Sequence, residues 1–135
     1  MSARIAMIAL VVRDYDEAID WYRRALDFVL LEDSNHGGGK RWVRMAPAGN
    51  AQFSVLLARA ATLAQKDVIG NQHGGRVGFF LHTDDFARDH ARLTAAGAHF
   101  EESPRFEAYG TVVVFRDLYG NRWDLIEPRA ASATP

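Results

Sequence analysis

Apolar residues run unbroken from Ile5 to Val12 and then, after Asp14, recur at Tyr15, Ala18, Ile19, Tyr22, Ala25 and Leu26. A short β-branched run followed by a three-to-four-residue period predicts a strand that enters an amphipathic helix. Asp14 is placed to cap that helix, and Glu17 three residues on suits a variant of the capping box. The pattern returns 71 positions later, at Val77–Thr83, Asp85 and a second helical stripe of Phe86, His90, Leu93 and Ala96, with Gly97 as its stop. The offset persists: Gly49-Asn50 maps onto Gly120-Asn121, each a turn between two apolar runs, Arg41–Ala46 then Gln52–Leu57 and Thr111–Arg116 then Arg122–Glu127. Weaker second strands are predicted near Phe28–Glu32 and His99–Glu102.

Each half therefore reads β-α-β-β-β, and the chain as an α+β fold of two tandem βαβββ modules. Module one covers about 4–57 and module two about 77–128, joined by a connection over 58–76 whose glycine-rich end (IGNQHGGR) suits a linker or lid. One such unit covers only one face of its mixed sheet, so two units or two chains must cooperate, leaving a concave space for a ligand. Residues 1–128 form a single domain on this reading, and 129–135 (RAASATP) are expected to be a disordered tail.

Composition narrows the partners. A chain of 135 residues buries a core without disulfides or structural metal, and a net charge of -1 gives no field for nucleic acid or an anionic membrane. Zero cysteines exclude thiol chemistry and cysteine-held zinc and fit a cytoplasmic protein. Ile5–Val12 is too short to span a membrane and lacks the features of a leader peptide, so it reads as a buried first strand.

The V-x-D helix entry (Val12-Arg13-Asp14), the Trp21-Tyr22 pair in the helix and the closing D-x-x-G-N-x-W-D-L from Asp117 to Leu125 carry a family resemblance. With the duplicated unit, they make the chain similar to the vicinal oxygen chelate superfamily, which includes glyoxalase I, bleomycin- and fosfomycin-resistance proteins and extradiol dioxygenases. The resemblance spans Ile5 to Pro128. It implies curved sheets around a small-molecule cleft and a homodimer, but not one activity, because the scaffold hosts lyases, epimerases, dioxygenases, transferases and binders. In metal-dependent members each half supplies a ligand early in its first strand and another in its last. By position these fall on Met7, Gly78, Asp124 and Phe53, or a neighbour of Phe53 between Gln52 and Val55. Asp124 alone suits a metal, and one carboxylate does not hold a divalent cation that needs three or four donors. The expectation is a metal-independent binder without cofactor, taking a small planar or anionic ligand. The rivals are a metal-assisted lyase, isomerase or dioxygenase of the glyoxalase type using Asp124 with His82 or Tyr109, and an interaction module with no ligand.

Candidate ligand-binding residues follow from strand faces. Asp124 lies in RWDLIEP, where it either looks into the cleft or pairs with Arg122. His82 shares a face with Gly78 and Phe80, with Asp84 beyond it as a partner or a helix cap. Arg41, Trp42 and Arg44 of KRWVRM suit clamping and stacking of a planar anion, although alternation leaves open which face is inward. Tyr109, grouped with Thr111, Val113 and Phe115, offers a hydroxyl at the rim, and Gln72 either closes over the site or bonds the loop. His90 reads as a core histidine, while His36, His73 and His99 form no metal spacing. The glycines of HGGG at 36–39 lead into a strand rather than a helix, so they read as a hairpin loop and not a phosphate cradle. No nucleophile elbow, Walker motif or dinucleotide fingerprint is present.

Overall fold

The computed structural model describes residues 2–129. Its first module runs β1 (Met7–Val12), α1 (Tyr15–Leu26), β2 (Phe28–Asn35), β3 (Arg41–Pro47) and β4 (Ser54–Arg59). After a connection holding the short α2 (Leu63–Asp67), the second runs β5 (Phe79–His82), α3 (Phe86–Ala95), β6 (His99–Phe100), β7 (Arg105–Glu107), β8 (Gly110–Arg116) and β9 (Arg122–Pro128). The sheets have the equivalent orders β1-β4-β3-β2 and β5-β9-β8-β6, with β7 also on β8, and in each the first and last strands are parallel neighbours. This is the expected α+β duplication.

The helices form where the periodicity places them. Asp14 accepts from the N–H groups of Asp16 and Glu17 at 2.8 and 3.2 Å, satisfying two donors that the first turn of α1 leaves free. The capping box does not close. Glu17 is drawn instead to the Arg13 guanidinium and to the Tyr119 hydroxyl at 2.7 Å, because a cation and a phenol outbid one backbone amide. Asp85 caps α3 by accepting from Arg88 N–H at 3.0 Å, and after α3 Gly97 takes φ +76 so that Ala98 N–H reaches the Leu93 carbonyl at 3.0 Å.

Two elements escape the hydrophobic pattern. The apolar content of α2 is slight, and it forms because Thr62 caps it; β7 is only three residues long and exists by pairing back on β8 across a tight turn. Boundaries also move. β2 continues through an irregularity between Leu30 and Glu32 to Asn35, and β4 begins at Ser54 because Gln52 and Phe53 lie in a bend. Of the expected tail, Arg129 donates its N–H to the Tyr109 carbonyl at 2.8 Å, and 130–135 lie outside the described residues.

One core runs through both modules. Leu10, Val12, Val43, Met45 and Leu57 meet Tyr22, Ala18 and Ala25 of α1, and Val113, Phe115, Trp123 and Leu125 continue the same cluster. Trp123 is the junction: its ring lies 4.5 Å from Phe79, 5.7 Å from Tyr22 and 6.2 Å from Phe28. Beneath it Asp117, 5% exposed, accepts from Tyr22 Oη at 2.6 Å, Trp123 Nε1 at 3.2 Å, Asn121 Nδ2 at 2.9 Å and the backbone N–H groups of Tyr119, Gly120 and Asn121. Burial, and then the nearby Asp117 carboxylate, hold the Tyr22 phenol well above its usual pKa, so it stays a donor. The helix Tyr22 and the D-x-x-G-N-x-W segment are thus one hydrogen-bonded unit that joins the modules.

The connection is fastened rather than loose. Gln72 accepts from Val11 N–H at 2.8 Å and donates to the Ala9 carbonyl at 3.0 Å, imitating a neighbouring strand on the free edge of β1. Gly70, at φ +79, lies so close to the turn before β9 that a Cβ there would overlap the Tyr119 carbonyl oxygen.

Candidate binding site at the seam between modules

A cavity of about 560 Å³ opens where the two modules meet. Module one contributes Ile8, Phe28, Phe53 and Val55, and module two contributes the whole of β5 with Trp123 behind it. Ile8, Phe53 and Phe80 are 36%, 44% and 62% exposed, so large apolar side chains stand open at the mouth. The rim is charged. Asp89 accepts from Thr83 Oγ1 and Arg88, and Arg92 approaches it at 3.2 Å. Burial alone would raise the Asp89 carboxyl, but the bonds from Arg88 and Thr83 hold it below its usual value, and Arg88 is raised in turn. Asp84 is exposed and meets Arg88 at 3.3 Å, while Asp85 takes the cap.

Of the candidates read from sequence, the structure brings His82 into this cavity. Asp124 stands one strand away, directly opposite Phe80 on β9. It does not pair with Arg122, whose guanidinium is bound bidentately by Glu101 at 2.8 and 2.9 Å. Asp124 Oδ1 is buried with no hydrogen-bond partner among the described residues. Burial therefore raises the carboxyl above its usual pKa, against the pull of Arg105.

A raised carboxyl makes the folded state the stronger proton binder between the two pKa values, so its contribution to stability falls as pH rises through that window. Asp124→Asn removes the penalty. The variant is expected to melt above the wild type at pH 7 and to converge with it as pH drops below about 4, where an ordinary aspartate is protonated in both states. Thermal melts across that range check this, and a lower melting point at pH 7 would show that the carboxylate is stabilising.

The other candidates lie elsewhere. Arg41 shares a face with Val43 and Met45, and Asp33 and Asp16 hold it at 2.7 and 3.0 Å over the Tyr15 ring, away from the cavity. Trp42 and Arg44 occupy the opposite face of β3, where Arg44 is committed to Glu32 at 2.9 Å and Ser54 at 3.2 Å. Tyr109 sits in the β7–β8 turn, 55% exposed, whereas Val113 and Phe115, grouped with it by alternation, point into the core. Gln72 spends its amide on β1. His90 behaves as expected, stacked between Phe86 and Phe100. The pattern singled out neither Arg88 nor Arg92, which only the approach of the modules gathers; Phe80, in step with His82 along FFLH, and Phe53, placed by the resemblance at a last-strand ligand position, were named but not as ligand contacts.

The positions that would hold a metal do not supply donors. Met7 pairs with Ser54, and a side chain on Gly78 would collide with the His73 ring, which the connection lays over it. Among the described residues no three His, Asp or Glu side chains cluster closely enough to bind a metal ion.

The fold and its seam can be set beside known proteins. Residues 4–125 match the family model of the Glyoxalase/Bleomycin resistance protein/Dioxygenase superfamily. The chain belongs to this superfamily. Within it, an uncharacterised protein of Shewanella frigidimarina (strain NCIMB 400) is 53% identical over 128 residues, covering 94% of this chain and 95% of the relative. The crystal structure of UcmS2 superposes with a TM-score of 0.81 at 27% identity, covering 94% of this chain and 99% of that one. TnmS3, described as an antibiotic binding protein from Streptomyces sp. CB03234, superposes at 0.74 with 28% identity over 95% and 98% of the two chains. No helix among the described residues is long and apolar enough to cross a membrane.

Proposed function

We propose that this superfamily member is a metal-independent binding protein that takes a small planar molecule with polar substituents into the seam cavity. The observation that carries the reading is the cavity itself. Its volume lies within the range of about 300–1,000 Å³ usual for small-molecule sites, with aromatic walls and a few charged groups at the rim. Phe80 and Phe53 offer flat faces for stacking, His82 and the Arg88–Asp89 pair offer polar anchors, and TnmS3, of the same fold, is an antibiotic binding protein. The missing donors at Met7 and Gly78 support metal independence. The exposed Ile8, Phe53 and Phe80 also support a homodimer in which a second copy narrows the mouth.

Metal analysis of protein purified without chelator, followed by a thermal-shift screen of planar aromatic antibiotics, glutathione adducts and catechols, tests the reading. Stoichiometric metal would sink it. For the ligand that shifts the melt, Phe80→Ala is expected to weaken binding about tenfold, the loss of one stacking aromatic, while leaving the melting point of the free protein within about a degree because the ring is already exposed. Unchanged affinity would remove β5 from the site.

Asp124 favours a second reading, a proton-transfer enzyme. A buried carboxyl with an unpartnered oxygen and a raised pKa suits a general acid or base. Turnover of any screened compound that Asp124→Asn abolishes, with binding retained, would decide for it.

A further inference from the structure

A second pocket, of about 340 Å³, lies between the connection and the second sheet and shares no lining residue with the seam cavity. Its walls include His73 and Arg76 from the connection, Arg116 and Arg122 from β8 and β9, Glu101, and Asn121 from the turn. Three guanidinium groups face one carboxylate. Glu101 binds Arg122 through two nitrogens and Arg116 through Nε at 2.9 Å, and Arg122 gives a third N–H to the Gly75 carbonyl at 2.9 Å. The two terminal nitrogens of Arg116 and the entire guanidinium of Arg76 have no partner among the described residues. Asn121, 3% exposed, fixes its amide nitrogen on Asp117 and keeps its carbonyl oxygen unpartnered.

Elsewhere the balance is reversed where arginines meet acids, as Arg41 sits against two, Asp33 and Asp16, and Arg105 against two, Glu102 and Glu107. Here an excess of two positive charges lines one concavity, where field lines focus. Glu101 does not cancel the site; it holds Arg122 through two nitrogens and anchors Arg116 at Nε, leaving the terminal nitrogens of Arg116 unpaired. Those terminal N–H groups, with the guanidinium of Arg76, are the donors open to an oxyanion.

We propose that this pocket binds the oxyanion of a small molecule, a carboxylate or a phosphate, independently of the seam cavity. Titration of the intact protein with sodium phosphate and with sodium acetate, each against sodium chloride at equal ionic strength, tests it through the backbone amide shifts of Gly75, Arg76, Gly120 and Asn121. Saturation in the millimolar range is expected for at least one anion, and which one saturates identifies the source of the charge. Arg76→Gln and Arg116→Gln, both on exposed residues that carry no core contact, are each expected to weaken that binding about tenfold without altering the melting point. Shifts no larger than those of chloride, or an affinity that either variant leaves unchanged, would overturn the proposal. Either result leaves the seam reading standing, because Phe80→Ala and the anion titration touch disjoint sets of residues.

Discussion

Asp117→Ala is expected to cost about 3–5 kcal/mol, a large share of the usual total stability of about 5–15 kcal/mol. The side chain is 5% exposed and gathers six donors, from Tyr22, Trp123, Asn121 and three successive backbone N–H groups. Removing the carboxylate leaves five of the six without an acceptor, Gly120 N–H alone keeping the Asp117 backbone carbonyl at 3.0 Å, and each buried unsatisfied donor carries a desolvation cost. Because Tyr22 lies on α1 and the remaining donors lie in the β8–β9 turn and at the start of β9, the loss also loosens one module from the other. Urea denaturation followed by far-ultraviolet circular dichroism measures the effect. A loss below about 1 kcal/mol would mean that water replaces the carboxylate without strain. Asp117→Asn, which keeps the shape and one acceptor oxygen, is expected to fall between the two.

Trp123→Ala is expected to cost about 3–5 kcal/mol by a different route. The indole is 3% exposed, stacks on Phe79 at 4.5 Å and on Phe115 at 5.9 Å, and touches Tyr22 and Phe28 of the first module. Truncation opens a void among four aromatic rings that cannot all collapse into it, since each is fixed by its own strand or helix. Trp123→Phe retains most of the ring contact and loses only the Nε1 bond to Asp117, so it separates packing from hydrogen bonding. Trp123 and Asp117 touch, so the double substitution should cost less than the two single losses added together; additive losses would show that the contacts act independently.

These residues bear on what a motif means. Asp117, Gly120, Asn121 and Trp123 stand out in the sequence as a mark of the superfamily, and their work here is to fasten the turn and join the halves. Asp124, the next residue, is the one carboxylate of that segment with an oxygen left without a partner. A single stretch therefore holds both the most satisfied carboxylate of the core and the candidate acid–base group beside the seam.

Legibility of the fold depended on local physics. The period of two in the strands, the period of three to four in the helices, the caps at Asp14 and Asp85 and the Gly-Asn turns are properties of neighbouring residues, and they placed both modules with boundary errors of a few residues. Where an element depends on a distant partner the pattern fell silent: β7 exists only because β8 lies beside it, and Gln72 finds its bonds on β1, 61 and 63 positions away in the chain.

The site is of the second kind. Alternation along KRWVRM establishes that Arg41 and Trp42 face opposite ways, but which side is core follows from where α1 lies, and Asp16 on that helix then claims Arg41. The same limit made Tyr109 a companion of Val113 and Phe115, and it concealed that Phe53 and Phe80 line one cavity. The sequence by itself determined the duplication, the two helices, the strand faces up to an overall choice of side, and the lack of donors at Met7 and Gly78. The tertiary structure decided which side is buried, which charges are already spent on one another, and where space remains, because those outcomes are set by contacts between residues dozens of positions apart, and periodicity carries no record of distance.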